Sequence, residues 1–158
     1  MRMTYKELKD EIAKIVPRDI EYEVDLEAGN IAIITSQMKP FTGQDGLIGK
    51  IAKRIRRKIV LRTPLDAMMD MSEASEVIRS IVPEEADITE MYFDACYREV
   101  TIQCKQPGTA IGRRGENNAK IRDQTGWSVK VERTPPLFSK TVHDIRMYRQ
   151  SHGEDRRK

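Results

Sequence analysis

Ile111-Gly112-Arg113-Arg114-Gly115 sets two glycines around two arginines, and the run that follows, Glu116 to Thr125, reads as a helix. A glycine pair at a helix start lets another molecule's backbone approach without interference from Cβ atoms, and it leaves the first amides of the helix unpaired and directed at whatever approaches. Arginines between the glycines add charge-assisted, bidentate donors for phosphate oxygens. Lys120 and Arg122 extend the positive charge along the same helix. The chemistry suits a polyanion. Because a bare GxxG is common, its weight rests on its surroundings: a strand before it, a helix after it, and Thr125-Gly126 leading into a β-rich stretch.

The same surroundings occur twice in the chain. Ile15-Val16-Pro17 recurs as Ile81-Val82-Pro83, Asp19-Ile20 as Asp87-Ile88, Gly43-x-x-Gly46 as Gly112-x-x-Gly115, and Arg62-Thr63-Pro64 as Arg133-Thr134-Pro135. Order is preserved while the spacing drifts slowly, as in a duplicated unit that has gained loop residues. Each copy opens with an amphipathic helix, carrying Tyr5, Leu8, Ile12 and Ile15 in one and Ala74, Val77, Ile78 and Ile81 in the other; a proline stops each, and Thr4 and Ser72 are the expected N-caps. Two strands follow in hairpin fashion, over 20–26 and 30–36 around Glu27-Ala28-Gly29, then over 87–94 and 99–105. The glycine turns lead into helices over 47–57 and 116–125, and strands over 58–62 and 127–133 close each copy. Three strands need a covering helix to be stable, so the pattern predicts an α+β chain of two small units spanning 1–64 and 65–135, each a three-stranded sheet covered on one face by helices. Met68, Met69 and Met71 at the junction read as gap-filling packing residues.

The formal net charge of +3 conceals an alternation of sign. Residues 1–38 hold 5 basic and 8 acidic side chains, 39–63 hold 8 and 1, 64–99 hold 2 and 10, and 100–135 hold 7 and 3. Both basic segments contain a glycine turn and the helix after it, which places the phosphate-seeking charge where the turns are. No run approaches the roughly 20 apolar residues of a membrane span, and the N-terminus lacks a secretory core. The expectation is a soluble cytoplasmic protein without a membrane partner. Cys96 and Cys104 have neither metal-ligand nor disulfide-framework spacing and read as ordinary packing residues.

This arrangement resembles the KH domain, in which a GxxG loop clamps the backbone of about four nucleotides of a single strand beside a base-reading groove. With helix and hairpin ahead of the GxxG helix and one strand behind it, the order is similar to the type II, prokaryotic variant, which implies a mixed three-stranded sheet. The expected RNA-binding residues are therefore Ile111, Gly112, Arg113, Arg114, Gly115, Lys120 and Arg122. A secondary track comprises Gly43, Gln44, Gly46, Lys50, Lys53, Arg54 and Arg57, and Asp45 makes the first clamp the weaker one. Gly46-Leu47-Ile48-Gly49 offers an alternative register whose apolar centre looks like helix core.

The tandem arrangement together with Arg133-Thr134-Pro135-Pro136-Leu137-Phe138-Ser139 resembles the N-terminal region of archaeal β-CASP ribonucleases, relatives of the cleavage and polyadenylation specificity factor nuclease that are implicated in 3′-end formation and transcription termination. The resemblance implies a downstream nuclease with two zinc ions, to which this chain would guide single-stranded RNA. The chain itself has no HxHxDH-like motif, only His143 and His152 in its tail, and no expected cofactor or catalytic residue; Glu84 and Glu85 read as a solvated loop. Residues 136–158 read as a connector, a short helix with Val142, Ile145 and Met147 or Tyr148 as its apolar positions. A protein-interaction or homodimerising module, or a free-standing RNA-binding protein, is the alternative.

Overall fold

The computed structural model describes residues 3–155 and divides into two compact units, Met1–Pro64 and Leu65–Lys158. The first contains α1 (Tyr5–Ile15), β1 (Glu23–Glu27), β2 (Asn30–Ile34), α2 (Leu47–Ile55) and β3 (Ile59–Arg62). Thr4 starts α1 through a capping box: its hydroxyl accepts from the Glu7 amide and its own amide donates to the Glu7 carboxylate at 2.7 Å. β1 and β2 pair antiparallel, β2 and β3 parallel, giving the mixed order β1-β2-β3. Leu8, Ile12, Ile51 and Ile55 of the helices close over Val24, Ile31, Ile33, Ile59 and Leu61 of the sheet.

β1 begins three residues later than the sequence pattern predicts. The Thr35 hydroxyl donates to the Glu21 carbonyl and the Gln37 side chain accepts from the Glu21 amide, so side chains satisfy the backbone there in place of a strand ladder.

The second unit contains α3 (Met71–Ile81), β4 (Ile88–Asp94), β5 (Glu99–Cys104), α4 (Pro107–Ile111), α5 (Glu116–Thr125), β6 (Ser128–Arg133) and α6 (Lys140–Asp155). Its sheet repeats the mixed pattern, β4 antiparallel and β6 parallel to the central β5. Trp127, Phe93, Val100, Ile102, Ile78 and Ile121 form its core. Three expectations are corrected here. Asp70, not Ser72, caps α3, because its carboxylate accepts from the Ser72 amide at 3.1 Å. Cys96 is exposed in the β4–β5 turn while Cys104 is buried, and burial pushes the Cys104 thiol up from its ordinary value. The short helix α4 fills a stretch to which the sequence pattern assigns no element.

The larger difference concerns the tail. Side chains alternate across a strand, so Glu90, Tyr92, Asp94, Gln103 and Glu132 lie on the sheet face turned away from the core. α6 lies on that face: the Tyr92 hydroxyl and His143 Nδ1 share a hydrogen bond at 3.1 Å, Arg146 pairs with Glu132 at 3.1 Å, and Arg149 pairs with Asp94 at 2.7 Å. The second sheet is therefore covered on both faces, with α6 packed on the unit through His143, Arg146, Arg149 and Gln150. Polar side chains make this contact, so the expected apolar positions Val142, Ile145 and Tyr148 stay exposed, at 47%, 56% and 63%.

Glu132 makes this docking pH-sensitive. Burial pushes its carboxyl upward, but hydrogen bonds from Lys130 and Arg146 outweigh this and hold it below the ordinary 4.5. A carboxyl depressed in the folded state adds stability that is present above its unfolded pKa and lost as pH falls through the folded one. The second unit should thus lose stability on acidification below pH 4.5, and Glu132→Gln should flatten that part of a melting-temperature profile; an unaltered profile would remove Glu132 from the account.

Candidate nucleic-acid interface

The turn that opened the sequence reading links two helices. α4 ends at Ile111 and α5 begins at Glu116, and between them the backbone leaves helical geometry at Gly112 (φ 79°, ψ 177°), Arg114 (φ 55°) and Gly115 (φ 74°). The Gly112 conformation belongs to a region essentially confined to glycine. A Cβ there would also sit 2.9 Å from the Asn117 and Glu116 side chains. Gly112→Ala should therefore cost roughly 2 kcal/mol in the second unit. Chemical denaturation checks this, and wild-type stability in the variant would show that the turn can relax.

Sequence reasoning missed what braces the turn. Asn117, 7% exposed, donates from its amide to the Ala110 and Thr109 carbonyls, at 3.1 and 3.4 Å, tying the first turn of α5 to the end of α4. The available signal was Pro107, since proline favours the first position of a helix.

The residues of the main site fall in three places. Ile111 is half-buried at the end of α4; Arg113 and Arg114 are exposed on the turn and make no ion pair among the described residues; Lys120 is exposed a turn into α5. Arg122, half-buried, lies 4.0 Å from Asp123, so it is partly engaged within its own helix. No side chain caps α5 at Gly115; the Glu116 amide donates to the Arg113 carbonyl, and the amides that follow it stay open beside the two guanidinium groups. The whole forms a small cationic cradle with helix-dipole support, opposed only by Glu116 in the first turn.

The first unit builds a related turn with different chemistry. The Gly46 amide donates to the Gly43 carbonyl at 3.2 Å, as Gly115 does to Gly112 at 3.4 Å. Gly43 has φ 98°, while Gly46 is required by packing: a Cβ would collide with the Phe41 carbonyl oxygen. Gln44 and Asp45 are exposed at the tip. Leu47, Ile48 and Gly49 lie within α2, with Leu47 and Ile48 against the core, which favours the Gly43–Gly46 register. Lys50, Lys53 and Arg54 are exposed on α2, and Arg57 is half-buried just beyond it. Arg54, though exposed, already has a carboxylate partner: Glu11 accepts from its Nε and from Lys14. Hydrogen bonds from Lys14 first and Arg54 second keep the Glu11 carboxyl below its ordinary value.

Among the described residues no helix is long and apolar enough to cross a membrane, and no cluster of three or more His, Cys, Asp or Glu side chains could hold a metal ion.

The first unit, a glycine turn on a mixed three-stranded sheet, coincides with a family match: residues 2–68 match the family model described as "Transcription termination factor FttA, KH domain". Over 97% of its length the chain is 36% identical to Transcription termination factor FttA of Pyrococcus abyssi and 35% identical to that of Methanothermobacter thermautotrophicus. Residues 2–68 belong to the KH-domain family of transcription termination factor FttA. The chain spans about a quarter of the length of these relatives, 24% in each case.

Proposed function

We propose that both units are type II KH domains and that the chain binds single-stranded RNA, with Gly112 to Gly115 of the second unit as the principal clamp. The observation that carries this reading is the exposed Arg113-Arg114 pair, free of ion pairs among the described residues, at the uncapped head of α5. Phosphate oxygens would take hydrogen bonds from those guanidinium groups and from the leading amides of the helix. Gly43 to Gly46 with Lys50, Lys53 and Arg57 gives a weaker extension, because Asp45 meets the backbone at its tip and Arg54 is engaged by Glu11. In a full-length cytoplasmic parent of the kind its relatives' length indicates, the module would deliver RNA to a downstream zinc-dependent β-CASP nuclease for 3′-end processing or transcription termination.

Fluorescence anisotropy with a labelled single-stranded RNA tests the reading. Log affinity should fall with log salt by about 0.7 per phosphate contacted on a single strand. A salt-independent association would point to a partner other than a polyanion.

A further inference from the structure

The face of the second sheet that α6 covers is only partly filled. Between the sheet, the 134–139 segment and the start of α6 lies a cavity of about 430 Å³, a size typical of small-ligand sites. Its floor presents Thr89, Glu90, Tyr92 and Gln103, and its wall Phe138 and His143. Tyr92 and Phe138 each stand against His143, with ring centroids 5.8 and 5.4 Å away and planes inclined by 72° and 52°. Phe138 is nonetheless 72% exposed, so most of that ring is uncovered at the cavity.

Gln103 presents a free amide to the cavity. The residue is 8% exposed and its side-chain amide makes no hydrogen bond among the described residues, so the amide tip opens on the cavity. The amide offers two donors and an acceptor side by side. That pattern matches the amine-and-ring-nitrogen edge of adenine, and the Glu90 carboxylate beside it can accept from an exocyclic amine. No lysine or arginine lines the cavity and Glu90 does, which disfavours a phosphate as its occupant, while the aromatic rings supply surfaces for an unstacked base.

We propose that this cavity holds an unstacked RNA base carrying an exocyclic amine, adenine or cytosine, on the sheet face opposite the helices that carry the Gly112–Gly115 turn. The proposal rests on the RNA-binding reading above and adds to it a base-selecting site remote from the clamp. Gln103 and Glu90 read the base edge, and Phe138 supplies the stacking surface.

The test uses the chain as it stands, with Phe138→Ala, Gln103→Met, and the double variant Arg113→Asp with Arg114→Asp. Phe138 is exposed, so its truncation leaves the fold intact, and methionine keeps the volume of Gln103 without its amide. Wild type should bind an oligoadenylate more tightly than an oligouridylate of equal length. Phe138→Ala and Gln103→Met should each reduce oligoadenylate affinity about tenfold without changing the salt dependence. Titration with adenosine, followed by NMR, should move the Gln103, Tyr92 and His143 resonances in wild type and in the double-arginine variant alike. Adenosine shifts that persist while the arginine substitutions leave RNA affinity unchanged would refute the clamp and support the cavity. Unaltered oligoadenylate affinity in both cavity variants, with no adenosine response at Gln103 and Tyr92, overturns the proposal; so does an equal response to uridine.

Discussion

Substituting aspartate for both Arg113 and Arg114 is expected to reduce affinity for single-stranded RNA by at least about a hundredfold, because each arginine lost removes a charged hydrogen bond of about 1.5–3 kcal/mol and each carboxylate adds repulsion. The salt slope should fall by about 1.4 at the same time, two contacts at about 0.7 each. Two features make the experiment clean. Both side chains are exposed, so no packing is lost, and Arg114 sits at φ 55°, where aspartate is among the residues that tolerate left-handed backbone. A circular dichroism melt should superimpose on that of wild type. If affinity survives, the Gly112–Gly115 turn is not the clamp.

The second large effect is on stability. Trp127 is fully buried, packs edge-to-face on Phe93 with centroids 5.0 Å apart, and donates from Nε1 to the Met69 carbonyl at 3.0 Å. Trp127→Ala should cost about 3–5 kcal/mol, and it also leaves a carbonyl near the core without this donor. Small domains are stable by only about 5–15 kcal/mol, so the second unit should melt far below the wild-type temperature. The first unit has its own core and should keep its transition, making the melt biphasic. Trp127 is the chain's single tryptophan, so fluorescence in wild type follows the second unit alone. A single cooperative transition displaced as a whole would contradict the independence of the two cores.

Much of the fold was legible because the repeat let each copy check the other. The α5 boundaries, the two hairpins and the closing strands follow from periodicity and punctuation that occur twice, while the Thr4 cap was readable from its own capping box. What escaped has physical reasons. α4 has five residues, too few to show helical periodicity, and it contains a glycine. Asp70 displaced Ser72 as a cap because both are good capping residues two positions apart, and only the path of the preceding loop decides between them. In α6 the apolar pattern pointed to the wrong face, since the sheet it meets offers Glu132, Tyr92 and Asp94, and ion pairs to these outweighed the burial of Val142 and Ile145.

The same limit applied at the site. The positions of Gly112, Gly115 and the arginines were readable from a motif. Arg54, by contrast, looked like part of a basic track, and its engagement by Glu11, far away in the chain, could not be seen from local sequence. Asn117 and Gln103 carry no motif at all. Their roles arise from what surrounds them: a neighbouring helix end for one, an unfilled cavity for the other.

The two hydrophobic cores share no residue, and everything the first requires lies before Leu65. Because chains emerge from the ribosome N-terminus first and domains fold as units, the first unit can complete its structure while the second is still being synthesised. Its apolar strands, Ile31-Ala32-Ile33-Ile34 above all, are then hidden before the similar strands of the other copy appear. A duplicated chain is exposed to strand exchange between its copies; sequential closure separates them in time.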